Sequence, residues 1–348
     1  MMATADGNHV EATHEPAAPR RSRVRQVVGR LCVVALVVGL LVTAVAWLLP
    51  LRANADVGIY DAFATAAFFT RVFLIPMACG WLVLGLLAFV CRRRWVGVMS
   101  LLLAMAWAAP EMRAAWPSGD AGGGPTFLIA SFNLNKDLRD ATWAVELMRR
   151  TDADVVVVQE VTPHTAEQMR AGLASVYPHA EIHPDPGYDG MAVFSRTPLR
   201  LIAAPQDYES RNLDVAVTLL GREVRLVNVH LAPPQRAETR RSNRVQVSRL
   251  LREHADHAAP TIFVGDFNFT TFSPQGAQLR GTGFREAHLA TGGGRQATWP
   301  TRNVKPPIPS VRIDTAYTRG GIEPVSGRVE QAFGSDHLPV VMKFRLSR

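Results

Sequence analysis

Residues able to bind a cation or move a proton recur in this chain directly after short apolar runs. Phe127–Phe132 is followed by Asn133, Val155–Val158 by Gln159 and Glu160, and Arg225–Val229 by His230. Thr261–Val264 leads into Gly265-Asp266-Phe267-Asn268, Val311–Ile313 into Asp314, and Ser335-Asp336-His337 stands just before Val340. Taken singly, each has a plain explanation, since Asp and Asn after a strand commonly form turns and a lone His is usually a satisfied core residue. Their recurrence weighs the other way: strands that share a sheet and end in carboxylate, amide or imidazole present those groups together at one edge. Carboxylate and amide oxygens without thiolates select a hard ion, Mg²⁺ or Mn²⁺, over structural zinc. The chemistry that fits is phosphoryl transfer to water. The ion neutralises charge on the phosphate, a carboxylate orients or deprotonates water, and an imidazole stabilises the phosphate or protonates the leaving oxygen.

Those groups need a scaffold, and the pattern beyond Thr126 supplies one. β-Branched runs predict strands at Phe127–Phe132, Val155–Val158, Met191–Phe194, Val215–Leu220, Arg225–Val229, Thr261–Val264 and Val340–Phe344. Amphipathic spacing predicts helices at Asp140–Arg150, Thr165–Val176 and Arg236–His254. Hairpin-length turns such as Gly221-Arg222 imply antiparallel as well as parallel pairing, and hence a layered α/β or α+β domain. At 224 residues, Pro125–Arg348 is long enough to bury a full core.

The rest of the chain has another character. Apolar runs at Leu31–Leu49, Val72–Cys91 and Trp95–Ala109 predict three membrane helices; the last is short, so an interfacial or re-entrant helix is its alternative, but Trp95 and Trp107 near its ends favour a span as interfacial anchors. Arg20, Arg21, Arg23, Arg25 and Arg30 precede the first run and Arg92–Arg94 separate the second from the third, whereas 50–71 carries only Arg52 and Arg71 beside Asp56 and Asp61. The positive-inside rule then places the N-terminus in the cytoplasm and the C-terminal domain outside. A cleavable signal ending at Ala44-Val45-Ala46 would leave that location unchanged. The expected organisation is a disordered basic cytoplasmic tail over 1–30, a membrane region over 31–110 (helices near 31–49, 72–91 and 95–109), a flexible linker over 111–125 and a catalytic domain over 126–348.

Charge and cysteine usage narrow the partners. The net charge is +8, yet from Pro125 onward 27 basic residues face 23 acidic ones, too small an excess for a dedicated non-specific DNA binder. Cys32, Cys79 and Cys91 all lie in or beside the apolar segments, which excludes a disulfide framework or thiolate metal site from the soluble part. The arginines Arg236, Arg240, Arg241 and Arg244 after His230 could grip phosphate, although a solvated helix face explains them more simply.

The stretches SFNLN, VVVVQE, GMAVFSR, VNVHL, VGDFN, RID and GSDHLPV stand in one order between Ser131 and Val340. In that order they resemble the endonuclease/exonuclease/phosphatase superfamily, which includes DNase I, abasic-site endonucleases, neutral sphingomyelinases and inositol phosphatases. The resemblance implies a four-layer α/β sandwich, here preceded by three transmembrane helices, with the site at one edge. It implies that Asn133 and Glu160 hold the metal with help from Asp336, that Asp266 positions or activates water, and that Asn268 supports the phosphate. Asp314 would orient His337, which stabilises the transition state, and His230 matches a second histidine of the DNase and sphingomyelinase branches. Thr315 and Ala316 follow Asp314 where many relatives have an aromatic residue or His, a departure that bears on substrate. GDFNFTTFSP, GFREAHL and ATWP are similar to a bacterial membrane-bound branch with an outward-facing domain, including actinobacterial proteins linked to resistance to teicoplanin-type glycopeptides.

The expected function is therefore an outward-facing, multi-pass cell-membrane hydrolase, dependent on Mg²⁺ or Mn²⁺. Its partners would be the lipid bilayer and a phosphate-ester substrate at the membrane surface, such as a lipid headgroup or polyprenyl phosphate. A nuclease acting on external nucleic acid is the alternative within the same chemistry. A catalytically inactive binding module is the alternative outside it, and the intact set of polar residues speaks against that one.

Overall fold

Two families of apolar strand faces meet in the catalytic part and close on each other. The computed structural model describes residues 20–48, 74–114, 123–205, 211–254, 260–293, 296–301 and 311–347. In chain order the elements are α1 (Arg20–Leu48), α2 (Leu74–Val90), α3 (Arg94–Ala114), β1 (Thr126–Asn133), α4 (Thr142–Arg150), β2 (Val155–Gln159), α5 (Pro163–Leu173), β3 (His179–His183), β4 (Met191–Ser195), β5 (Leu199–Ala203), β6 (Leu213–Leu219) and β7 (Arg222–His230). They continue as α6 (Ala237–Glu253), β8 (Thr261–Asp266), α7 (Pro274–Gly281), β9 (Arg285–Glu286), α8 (Ala287–Thr291), β10 (Asp314–Arg319), β11 (Ile322–Val329) and β12 (Val340–Leu346).

Sheet A has the order β11-β12-β1-β2-β4-β3 and sheet B the order β5-β6-β7-β8-β10-β9. In each, one central pair is parallel, β1–β2 and β7–β8, and the remaining neighbours are antiparallel. Ile129, Val155, Val157, Leu226, Val264 and Met342 belong to the core between the sheets. The opposite face of sheet A (Phe132, Val156, Phe194) packs on α4 and α5 through Met148 and Met169, and that of sheet B (Val229, Phe263, Tyr317) on α6 and α7 through Leu250 and Leu279. The layers thus run helix, sheet, sheet, helix, as the resemblance implied. Because β2 is buried on both faces, its Val155–Val158 run is continuously apolar rather than alternating.

Three expectations need correction. The sequence puts Asp314 at the end of a strand, but Val311 makes only an isolated bridge to Trp299, and Asp314 opens β10. Because β10 runs antiparallel to β8 with Asp314 opposite Asp266, its beginning lies at the edge where β8 ends. Next, α1 begins at Arg20, so residues 20–30, expected in a disordered tail, are helical, in keeping with the good helix propensity of Arg; residues 1–19 lie outside the described ones. Likewise 111–114 of the expected linker continue α3, while 115–122 lie outside the described residues.

The third correction concerns the spans. Among the described residues one helix, not three, is long and apolar enough to cross a membrane, the 22 residues Arg23–Ala44. Leu74–Val90 is ended by Arg92 in a left-handed turn, and its 17 residues rise about 25 Å, short of the roughly 30 Å of a hydrocarbon core. Arg94–Pro110 is the other shorter apolar helix. All three helices share a cluster of Cys32, Leu36, Trp81, Ala88, Val96 and Trp107. The buried Trp107 indole donates to Thr43 Oγ1 at 3.1 Å, joining α3 to α1. Phe272, from the loop after β8, packs against the same cluster.

Candidate active site

Side chains alternate along a strand, so the inward positions of each strand form a column running from the core to the sheet edge. On β1 the column is Phe127, Ile129, then Ser131 and Asn133; on β7 it is Val224, Leu226, then Asn228 and His230. On β8, Ile262 and Val264 lead to Asp266. Alternation would send Glu160 to the other face from inward Gln159. Glu160 instead adopts a left-handed backbone (φ 57°), which returns its carboxylate to the site. Asn268 (φ 52°) departs from the extended form in the same way after β8. Gly265 is required where it stands, because a Cβ there would lie 2.1 Å from the Val229 carbonyl oxygen and the φ is +141°.

The eight expected residues are all described, and most converge. The Asn133 amide donates to Glu160 Oε1 and to Asp266 Oδ2, both at 3.1 Å, linking the two sheets across the site. Glu160 Oε2 also accepts from the Lys136 backbone N–H at 2.9 Å. Asp266 Oδ1 accepts from the Asn268 N–H at 2.8 Å, and the Asn268 side chain donates to the Leu231 carbonyl at 2.9 Å. His337 Nδ1 meets Asp314 Oδ2 at 3.0 Å, while its Nε2 lies 3.8 Å from Asp266 Oδ2. His230 Nε2 lies 3.7 Å from Glu160 Oε1 and 3.8 Å from Asp266 Oδ2. Asp336 stands apart from this group. Its two oxygens accept from the Asn135 amide at 2.8 Å and the Trp299 indole at 2.9 Å.

Burial sets the protonation states. Glu160 is pushed up by desolvation against its hydrogen bonds. Asp266 is pushed up to about 8, by burial first and then by the neighbouring Asp314 charge. His337 is raised to about 10: burial opposes its charge, but Asp314 and Asp266 outweigh it. His230 falls to about 3 through burial and the nearby Arg211. Its Nδ1 lies 3.0 Å from the Tyr188 carbonyl oxygen, which fixes the tautomer with Nδ1 as donor and Nε2 as a free lone pair facing the carboxylates.

Two buried carboxylates held above their ordinary range are a donor set short of positive charge, and a divalent cation fits it. Glu160 and the Asn133 amide oxygen are the donors free of a charged partner. Asp266, Asp314 and His337 also place ligand atoms within 4.8 Å of one another. That trio is a poorer cage, because His337 commits Nδ1 to Asp314 and carries a proton, whereas imidazole ligates metals in its neutral form. Asp336 would join only by sharing oxygens already engaged by Asn135 and Trp299.

Other residues of the site carried no assigned role in the sequence. Asn135 and Trp299 were visible only as letters of SFNLN and ATWP. Arg211 is buried and paired with Asp189 at 2.7 Å; it stands alone in sequence, with no spacing to mark it. Ser335 had no assigned role either: its hydroxyl donates to the Asn133 carbonyl at 2.8 Å and accepts from the His337 N–H at 3.0 Å.

Residues 130–337 match the model of the endonuclease/exonuclease/phosphatase family. Among solved structures, an endonuclease/exonuclease/phosphatase from Beutenbergia cavernae DSM 12333 is similar at 21% identity and TM-score 0.52, over 64% of this chain and 72% of that one. D. rerio TDP2, solved with a single-strand DNA product, is similar at 22% identity and TM-score 0.51, over 64% of this chain and 100% of its own. A Bacteroides vulgatus endonuclease/exonuclease/phosphatase gives 15% identity and TM-score 0.50, over 64% and 100%. No curated protein matches the chain. None of these findings singles out the membrane-bound branch.

Proposed function

The chain belongs to the endonuclease/exonuclease/phosphatase family, and from that premise we propose that it is a membrane-attached phosphoesterase acting on phosphate esters at the bilayer surface. The observation that carries this reading is Phe272. It lies four residues beyond Asn268, in the loop leaving the site, and packs against the apolar helix cluster that includes Trp107. A site held against an apolar bundle meets membrane-borne substrates at high effective concentration. The apolar helix Arg23–Ala44 supports attachment to a membrane, and the arginine asymmetry of the sequence supports the outward orientation.

Asn133 and Glu160 are the proposed holders of Mg²⁺ or Mn²⁺. Bound there, the ion would supply positive charge to the phosphate oxygens and to the Asp266 carboxylate. Asp266 orients the attacking water and accepts its proton as the new P–O bond forms. His337, held by Asp314, directs its Nε2–H into the site, stabilises charge on the phosphoryl group and gives that proton to the leaving oxygen as its bond to phosphorus breaks. Asn268 fixes the rotamer of Asp266, and neutral His230 offers Nε2 as an acceptor beside Glu160.

The test uses the full-length protein in lipid vesicles with Mg²⁺. It should hydrolyse a lipid-linked phosphate ester faster than plasmid DNA at matched phosphate concentration, and lose activity in EDTA. Rapid DNA nicking without turnover of any lipid phosphate would put the nuclease reading first.

A further inference from the structure

Beneath the site the two sheets are joined by a buried polar bridge to which neither the family match nor the proposed chemistry assigns a role. Ser131 and Asn228 lie in the inward columns of β1 and β7, one layer below Asn133 and His230, while Gln159 stands opposite Asn133 on β2 and bonds to both Ser131 and Asn228; all three are buried. Gln159 Nε2 donates to Asn228 Oδ1 at 2.6 Å and to Ser131 Oγ at 3.2 Å. Asn228 Nδ2, from sheet B, donates to the Val158 carbonyl at 2.9 Å and the Ala192 carbonyl at 3.0 Å, both in sheet A. Every side-chain amide hydrogen of the pair thus has an acceptor, and three of the four bonds cross the gap between the sheets.

Below Ser131 and Asn228 the core between the sheets is built of aliphatic and aromatic side chains such as Ile129, Val155, Leu226 and Ile262. Such contact is non-directional and tolerates small slides. Hydrogen bonds of 2.6–3.0 Å do not, because they weaken steeply with distance and angle. The site above is itself divided between the sheets. Asn133 and Glu160 hang from sheet A, and His230, Asp266 and Asp314 from sheet B, with 3.1 Å from Asn133 Nδ2 to Asp266 Oδ2 and 3.7 Å from His230 Nε2 to Glu160 Oε1. A split site of this kind works only if its halves are held within about 0.5 Å.

We propose that Gln159 and Asn228 are positioning residues that set the inter-sheet gap, and through it the geometry in which Glu160 and Asp266 face each other. The consequence for cation binding rests on the phosphoesterase reading; the consequence for geometry does not. The experiment compares the full-length wild type with Gln159→Met, which removes the amide at nearly constant volume, and Asn228→Leu, which removes the bridge's three cross-sheet bonds. Melting temperature, Mn²⁺ affinity by calorimetry and crystal structures are the readouts. Both variants are expected to bind Mn²⁺ more weakly while folded, Asn228→Leu by about ten- to a hundredfold and Gln159→Met by less, and their cross-site distances should shift by roughly 0.5 Å or more. If Asn228→Leu fails to fold, Gln159→Met decides. A Gln159→Met protein that melts earlier but keeps the wild-type distances and Mn²⁺ affinity would overturn the proposal and leave the bridge a stability element. Should the wild type bind no Mn²⁺ and hydrolyse no phosphate ester, the functional reading falls, and shifted or unshifted distances still decide the positioning role.

Discussion

On sheet A, Glu160 is held by the Lys136 N–H and the Asn133 amide, two donors from its own side of the site. On sheet B, Asp266 and Asp314 face each other's charge, and the protonated His337 lies between them at 3.8 and 3.0 Å. Sheet A thus offers an acceptor already oriented by hydrogen bonds, suited to hold an ion in one place. Sheet B concentrates negative charge beside one imidazole, suited to take up and return protons. Burial acts on both halves, and the Asp314 charge beside Asp266 separates their roles.

Removing charge from sheet B should have the largest effect. Asp266→Asn is expected to lower kcat by about 10²–10⁴-fold while raising the melting temperature of the metal-free protein, because a strained buried carboxylate is gone. Loss of activity accompanied by a lower melting temperature would contradict the contrast between the sheets. Next come His337→Ala and Asp314→Asn. As parts of one unit, each should cost nearly as much kcat as both together, and additive losses in the double mutant would separate them. On sheet A, Glu160→Gln should act first on the ion, raising the Mg²⁺ needed for half-maximal activity by about tenfold or more; an unchanged requirement would move the ion to the sheet B carboxylates.

The smallest effect is on stability against pH. In the metal-free protein Asp266, raised from 3.8 to about 8, keeps a proton that the unfolded chain releases, so its share of stability falls as pH rises through that interval. His337, raised from 6.5 to about 10, contributes fully below 6.5 and loses that contribution as pH rises through 10. His230, lowered to about 3, acts in the opposite sense below 6.5, where the unfolded imidazole gains a proton that the buried one refuses. The melting temperature without metal should therefore decline above pH 6.5, and Mg²⁺ should flatten the decline up to about pH 8. Scans with and without Mg²⁺ measure this, and a metal-free melting temperature that climbs from pH 6.5 to 8 would exclude it.

Much of the site was legible because strand runs end abruptly in polar residues. Asn133, Glu160, His230 and Asp266 could be found that way, and the seven strands expected from β-branched runs are all present. Legibility failed where a strand lacks such a run. β11 contains Pro324 and Gly327 with an irregular register between Pro324 and Ser326, and β3 reads His-Ala-Glu-Ile-His. β10 escaped because its leading residue, Asp314, looked like the end of the preceding Val-Arg-Ile. Nor could alternation reveal that Glu160 turns inward, since a left-handed backbone at a non-glycine residue leaves no mark in composition. Arg211 and the Gln159–Asn228 bridge depend on pairings across the fold that no local window contains.

The place of β12 beside β1 also governs the order in which this site comes into being during synthesis. β1 is the first strand of the sandwich to leave the ribosome, and it lies between β2 and β12. Its β2 edge is paired early, but its other edge pairs with β12, from Ser131 opposite Val340 to Thr126 opposite Arg345. Until that strand arrives, the backbone of β1 stays open on one side, an edge available for pairing with another chain. Asp336 and His337, just ahead of β12, are the last site residues translated. A nascent chain therefore holds Asn133, Glu160, His230 and Asp266 long before it holds the imidazolium that balances them, and hydrolytic competence arrives together with closure of the sheet.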